Sequence, residues 1–279
     1  MLRLKMEAQS MNKITREALF NQVRAWTLQA GAQIRDTIYD PRTIKFKSNP
    51  KDLVTEMDQE VEYFFANKIK RYYPEHLLLG EEGYGDKKID QNKTIWILDP
   101  IDGTMNFVHQ KQNFAISIGI YDNDIGEIGF IYDVMNNNLY SAMRDGGAFK
   151  NDRKLDQLST NKRLEESILC MNHYWLTENN HINHQEVEQL VRDVRGTRAY
   201  GSAALEFAYI AEGALDAYVT MQLEPWDFAA GRIIVQEVGG LTTNIFGEEI
   251  GVLERSSILT CNPSLQDTLI NQYFKQAKK

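Results

Sequence analysis

The chain of 279 residues contains only two cysteines, Cys170 and Cys261, far apart and without metal-type spacing. That excludes a disulfide framework and a thiolate zinc site, and predicts two reduced, buried thiols in a cytoplasmic protein. No apolar run approaches the ~20 residues needed to span a bilayer. The opening MLRLKMEAQSMNK lacks the continuous apolar segment of a secretory signal, and Met11 offers an alternative start that would make residues 1–10 an extension. There is no Walker loop and no dinucleotide glycine fingerprint. His181 and His184 have the spacing of one helical face, but no acid or thiol follows at zinc-like spacing. Basic residues are in the minority, 31 against 39 acidic ones, for a formal charge of −8. Such a surface repels nucleic-acid backbone and anionic membrane, so neither is an expected partner. A small anionic substrate remains admissible only if a local cation offsets the field. Internal repeats and low-complexity linkers are also missing.

With 43% hydrophobic and 25% charged residues, the chain has the composition of a folded globular protein and can bury a sizeable core. Apolar residues at Leu19, Val23, Trp26, Ala30, Ile34 and Ile38 recur every three or four positions and predict a helix over 13–39, ended by Pro41. A polar segment, 45–52, follows. Val61, Phe65, Ile69 and Tyr72 predict a second helix over 58–73, stopped by Pro74. Strands are expected at 94–98, around 114–120, at 129–133 and at 139–143, an antiparallel meander carrying helices on one side. From about residue 156 the rhythm alternates: strands at 167–171, 217–221, 241–245 and 258–261, and helices at 185–194, 202–212, 227–238 and 263–276. The chain therefore divides into an α+β half, 11–155, and an α/β half, 156–279, packed closely rather than tethered.

The stretch WILDPIDGTMNFVH, residues 96–109, places two carboxylates, Asp99 and Asp102, at the mouth of a buried strand. Other acids beside glycine or proline at element ends are Glu81 and Glu82 in GEEG and Asp227 after Pro225-Trp226. Singly, Asp227 fits a helix N-cap and Glu81-Glu82 an exposed acidic turn. Asp99 with Asp102 is harder to treat that way. Two unit charges ~4 Å apart repel by about 4 kcal/mol at an effective dielectric near 20, so the pair needs a proton or a cation between them. An all-oxygen donor set points to Mg²⁺ rather than zinc. Gly103 lets backbone N–H groups approach a ligand at the start of a helical turn, which suits a phosphate, and Thr104 adds a hydroxyl able to orient water.

These segments resemble the inositol monophosphatase family of lithium-sensitive, magnesium-dependent phosphatases, which also includes fructose-1,6-bisphosphatase. The resemblance is carried by GEEG, WILDPIDGTMNFVH and PWDFAAGRIIVQEVGG, with support from KSNPKDLVTEMDQE (47–60) and YGSAALEFAYIAEGALDAYV (200–219). It implies a layered α-β-α-β-α sandwich, a homodimer, and hydrolysis assisted by two or three Mg²⁺ ions. It further implies that Glu81, Asp99 and the Ile101 carbonyl hold one ion, that Asp99, Asp102 and Asp227 hold a second, and that Glu81 and Glu82 share a third. The Gly103 and Thr104 amides would receive the phosphate. Thr104, supported by Asp58, would position the attacking water, with Glu81 completing the catalytic set; Asp58 alone would otherwise fit an N-cap of helix 58–73. Lys47 would lie near the third ion, and Gly201, Ser202 and Ala203, with Asp227, would approach the leaving group. Animal inositol enzymes carry a glutamate seven places before the PWD aspartate; here that place is Thr220, with Glu224 closer in. The resemblance makes inositol 1-phosphate the default substrate, Thr220 keeps NADP or a sugar bisphosphate as the alternative, and a non-catalytic metal-binding module is the reading from outside the enzymes.

Overall fold

The computed structural model describes residues 11–41, 43–46 and 53–274. In chain order these form α1 (Lys13–Thr37), β1 (Ile44–Phe46), β2 (Leu53–Thr55), α2 (Glu56–Tyr72), β3 (Leu77–Gly80), β4 (Thr94–Asp102) and α3 (Thr104–Gln110). The strands β5 (Ala115–Asp122), β6 (Ile125–Asp133), β7 (Asn138–Met143), β8 (Gly147–Lys150) and β9 (Arg153–Lys154) come next. The second half contributes β10 (Ile168–Cys170), α4 (His184–Asp193), β11 (Gly196–Arg198), α5 (Ala203–Ala211), β12 (Ala217–Leu223), α6 (Pro225–Glu237), β13 (Leu241–Thr243), β14 (Ser256–Cys261) and α7 (Gln266–Leu269).

Among the described residues, β1 and β2 form a small antiparallel pair and the other strands form two sheets. The larger sheet has the order β3-β4-β5-β6-β7-β8-β9, antiparallel except for β3 beside β4. The smaller has the order β11-β10-β12-β14-β13, with β10 parallel to both neighbours and β14 antiparallel to both of its own. Side chains alternate across β4. Trp96 and Leu98 join Ile116, Ile118 and Phe130 beneath α1 and α2, while Ile95 and Ile97 turn the other way, toward Phe207 of α5 and Ala229 of α6. Tyr218 and Ile258 of the smaller sheet pack on the opposite side of that α5/α6 layer. Its outer face, Leu169, Val219 and Leu259, packs with Val187 and Leu190 of α4 and Leu269 of α7. The result is the layered α-β-α-β-α sandwich.

Several expected boundaries move, each for an identifiable reason. The meander carries helices on both faces, not one; the unbroken apolar run Ile95-Trp96-Ile97-Leu98 is the mark of a strand covered twice. Strand β4 runs on through both aspartates to Asp102 instead of ending at Leu98. Its partners step from Ser117 opposite Asp99 to Ala115 opposite Asp102, so one extra residue is absorbed in a bulge around Pro100, which has no N–H to give the ladder. Helix α2 begins at Glu56 with Thr55 as N-cap, and Asp58 is its third residue rather than the cap. Likewise Asp227 is the third residue of α6, behind the N-cap Glu224 and Pro225. The closing helix is shorter than expected: α7 gives way at Ile270 to a π-type turn ending at Phe274.

The α6 helix lies directly on β5. A Cβ built on Gly119 would stand 2.9 Å from the backbone carbon of Ala229, so no larger residue fits without lifting the helix that carries Asp227. Gly119→Val is expected to cost about 2 kcal/mol or more and to lower the melting temperature by roughly 4–10 °C in calorimetry; a parental melting temperature would contradict this close packing.

Candidate active site

The bulge in β4 and the start of α6 bring three acids together. Asp99, Asp102 and Asp227 each present a carboxylate oxygen, and these oxygens all lie within 4.8 Å of one another. Backbone geometry fixes each acid through one oxygen. Asp99 Oδ1 accepts the Ile101 N–H at 3.0 Å. Asp227 Oδ2 accepts the Glu224 N–H at 2.8 Å in a capping box. Asp102 Oδ2 accepts the Ser202 hydroxyl at 2.6 Å and the Ala204 N–H at 2.5 Å. In every case a second oxygen remains for a shared partner.

Asp99 and Asp102 are buried and Asp227 is partly so; desolvation is the first cause that raises all three pKa values, and neighbouring negative charges, Glu206 among them at Asp102, add to it. Asp102 is pushed up to about 7, and Asp99 and Asp227 are pushed well above the usual carboxylate range. The charge of Glu81 raises all three, so it belongs to the same electrostatic unit. Among the described residues no lysine or arginine ion-pairs with these three acids. At 4.8 Å a pair of unit charges repels by about 3 kcal/mol at an effective dielectric near 20. An all-oxygen, like-charged, preoriented donor set of this kind fits a hard divalent cation.

Asp58 stands next to this group, fully buried and raised to about 6, first by burial, with the charge of Glu81 adding a smaller upward push. Its Oδ2 accepts the Thr55 N–H at 2.9 Å and the Thr55 hydroxyl at 2.5 Å. The Thr104 hydroxyl lies 3.2 Å from both Asp58 Oδ1 and the Ile101 carbonyl oxygen, between two acceptors. Thr104 opens α3, behind Gly103 in the left-handed region at φ 96°. A Cβ on Gly103 would meet the Gly201 carbonyl at 3.1 Å and Ser202 Cβ at 3.2 Å, so this turn and the 201–202 segment close on each other. A cleft of about 530 Å³ extends from Asp102 and Asp227 past Gly201, Ser202, Ala203 and Thr220 to Asn172, His173 and Trp175.

The structure thus gathers Asp58, Glu81, Asp99, Ile101, Asp102, Gly103, Thr104 and Asp227 around one centre, with Gly201, Ser202 and Ala203 along the adjoining cleft. Glu82 gives its N–H to Glu62, and it is not among the three acids that converge. Glu224 is not a cleft residue: it caps α6 and ion-pairs with Arg255 at 3.1 Å. Lys47 lies outside the described residues. Three supporting residues were not evident from the sequence. Glu62, fully buried on α2, accepts the N–H groups of Glu82 and Tyr84 and so holds the GEEG loop. Its signal was a charge beside Val61, Phe65 and Ile69 on the apolar face. Glu206 is the lone charge in the apolar helix α5. Asn106 donates to the Asn113 carbonyl at 2.8 Å and the Tyr200 carbonyl at 2.7 Å; nothing in the sequence pointed to it.

A five-layer sandwich with a buried acid cluster at a strand end, flanked by a hydroxyl and a glycine turn, defines a phosphoric monoester hydrolase. The chain belongs to the inositol monophosphatase family, whose model matches residues 15–279. It is 50% identical over 255 residues to inositol-1-monophosphatase of Bacillus subtilis (strain 168), covering 91% of this chain and 96% of the relative. The crystal structure of inositol monophosphate-bound SaIMPase-II superimposes with a TM-score of 0.83 at 39% identity, over 92% of this chain and 94% of the other. An IMPase/NADP phosphatase complexed with Mg²⁺ and phosphate gives a TM-score of 0.84 at 27% identity, over 92% and 95% of the two chains. The protein is therefore a phosphatase of that family. No helix among the described residues is long and apolar enough to cross a membrane.

The raised carboxyls predict how stability depends on pH without metal. A carboxyl whose pKa is higher folded than unfolded stabilises the fold below its ordinary value, 3.8, and loses that contribution as pH rises through about 6 for Asp58 and about 7 for Asp102. In chelator the melting temperature should fall by more than ~5 °C between about pH 5 and pH 8, at ~2–4 °C per kcal/mol. Asp102→Asn should flatten that slope. A pH-independent melting temperature in the parent would show that the acids do not strain one another.

Proposed function

We propose that the protein is a Mg²⁺-dependent phosphomonoesterase that hydrolyses inositol 1-phosphate or a similar small polyol phosphate. The observation that carries this reading is the convergence of Asp99, Asp102 and Asp227 within 4.8 Å, beside a threonine hydroxyl held by Asp58. Glu81, Asp99, Asp102, Asp227 and the Ile101 carbonyl would hold two Mg²⁺ ions, with Glu82 helping to take a third. Bound there, the ions supply the positive charge that activates water and steadies the phosphoryl and departing oxygens.

The residues of the chain do the placing. The Thr104 hydroxyl has acceptors at Asp58 Oδ1 and the Ile101 carbonyl, so its proton is committed and its lone pairs can accept a hydrogen bond from the attacking water. With one of its hydrogens given to Thr104, the water is oriented so that a lone pair faces phosphorus. The amides of Gly103 and Thr104 offer N–H groups to the phosphate oxygens. Gly201, Ser202 and Ala203 line the space into which the alcohol departs, with Lys47 assigned to the substrate side. The inositol monophosphate bound by SaIMPase-II and the Mg²⁺ and phosphate complexed with the IMPase/NADP phosphatase support the same assignment here.

Thr220 favours a second reading, a nucleotide such as NADP or a sugar bisphosphate. It faces the cleft without a charge, and Glu224, the nearby acid, is turned to Arg255. The cleft continues beyond it to Asn172, His173 and Trp175, leaving room for a leaving group larger than inositol. The protein is further proposed to work as a homodimer in the cytoplasm, in keeping with its family and its two unpaired buried cysteines.

Release of inorganic phosphate from inositol phosphates, sugar phosphates and NADP should require Mg²⁺ and fall with millimolar Li⁺; full turnover in chelator would exclude the metal. Asp102→Asn should abolish turnover while circular dichroism shows a folded chain. Thr104→Ala should lower kcat by roughly 10²-fold with little change in KM, because the hydroxyl orients the water rather than the substrate; an unchanged kcat would remove that role. Light scattering should give twice 32.2 kDa, and the monomer mass would contradict the dimer.

A further inference from the structure

Glu206 is a buried carboxylate that the proposed chemistry leaves without a task. It is 5% exposed, on a helix whose other buried residues are all apolar. Its Oε1 accepts the N–H groups of Tyr200 at 3.0 Å and Gly201 at 3.3 Å. The Cys170 thiol and the Tyr218 hydroxyl lie near this carboxylate and lower its pKa, against the burial that raises it. Two backbone donors thus converge on one side-chain oxygen and offset part of the cost of burying it. The same turn is held from its other side, where Asn106 donates to the Tyr200 carbonyl at 2.7 Å. Its backbone is therefore fixed through both its N–H and its C=O groups.

The segment just after this turn touches the acid cluster. Ser202 caps α5 and donates its hydroxyl to Asp102 Oδ2, and the Ala204 N–H donates to the same oxygen. Two donors at 2.6 and 2.5 Å occupy the lone pairs of that oxygen and leave Oδ1 as the one open to a partner. We infer that Glu206 is a positioning residue for the cation: by holding the Tyr200–Gly201 turn it sets Ser202 and Ala204 on one oxygen of Asp102 and presents the other to the metal. The inference rests on the metal reading proposed above.

Reach and charge separate in two conservative variants. Glu206→Gln keeps the length and a carbonyl acceptor for both N–H groups, and its amide can donate to the sulfur of Cys170 and the oxygen of Tyr218. Glu206→Asp keeps the charge but is too short to hold the turn. Mg²⁺ titration by calorimetry, on protein shown folded by circular dichroism, should give the parent's Kd within ~3-fold for the glutamine variant. The aspartate variant should bind roughly 10-fold more weakly or worse, the scale of losing a partner that orients a metal ligand. Ser202→Ala, which frees Asp102 Oδ2 while leaving Glu206 in place, should weaken binding in the same direction and serves if Glu206→Asp does not fold. Parental affinity in the aspartate variant, or in Ser202→Ala, would overturn the inference. So would a glutamine variant as weak as the aspartate one, since charge rather than position would then matter. No Mg²⁺ binding by the parent would overturn the metal reading itself, and this inference with it.

Discussion

Three carboxylates drawn from β4 and α6 share a space in which no two of their converging oxygens are more than 4.8 Å apart, and no lysine or arginine among the described residues ion-pairs with them. Desolvation and mutual repulsion both oppose ionisation there, and both act against the folded state at neutral pH. Much of the surrounding structure exists to hold that arrangement. A bulge at Pro100 spaces two of the acids along one strand. The third sits in the first turn of α6, where the capping box directs it and the helix dipole favours its charge. Gly119 lets α6 seat against β5, so the strand-borne and helix-borne acids keep a fixed separation.

The same economy recurs around the centre: a single side chain serves both local structure and the site. Asp58 and Asp227 are each the third residue of a capping box, and each turns its second oxygen elsewhere, Asp58 to Thr104 and Asp227 to the cluster. Ser202 caps α5 and orients Asp102. Glu62 and Glu206 do the complementary work from inside two helices, each accepting two backbone N–H groups of a loop beside the acids. For such residues, cap and functional group are not alternatives.

How much of this was legible in advance differs from residue to residue. The helices α1 and α2 and the strands β4 to β7 of the large sheet were visible because their apolar residues recur at the right period, and the continuous apolar run of β4 also held the sign of a doubly covered strand. The acids announced themselves by lying next to proline and glycine at element ends. The caps were displaced: Thr55 and Glu224, not Asp58 and Asp227, start their helices, because a carboxylate three residues into a helix reaches back to the cap N–H as readily as one at the cap reaches forward. Asn106 left no trace, since its partners are the carbonyls of Asn113 and Tyr200, the second far away in the chain.

The sequence by itself determined the local grammar: which segments are helix or strand, where the chain turns, and that five acids with no cysteine or histidine among them demand an oxygen-liking cation if they meet. Tertiary structure alone decided that Asp99, Asp102 and Asp227 meet, that Glu81 acts on all three while Glu224 turns away to Arg255, and that buried Glu206 supports the turn leading to Ser202. The reason is range. Periodicity and turn chemistry are set by neighbours within a few residues, whereas a carboxylate's surroundings are set by strands and helices more than a hundred positions apart in the chain, brought together only by burial of the layers between them.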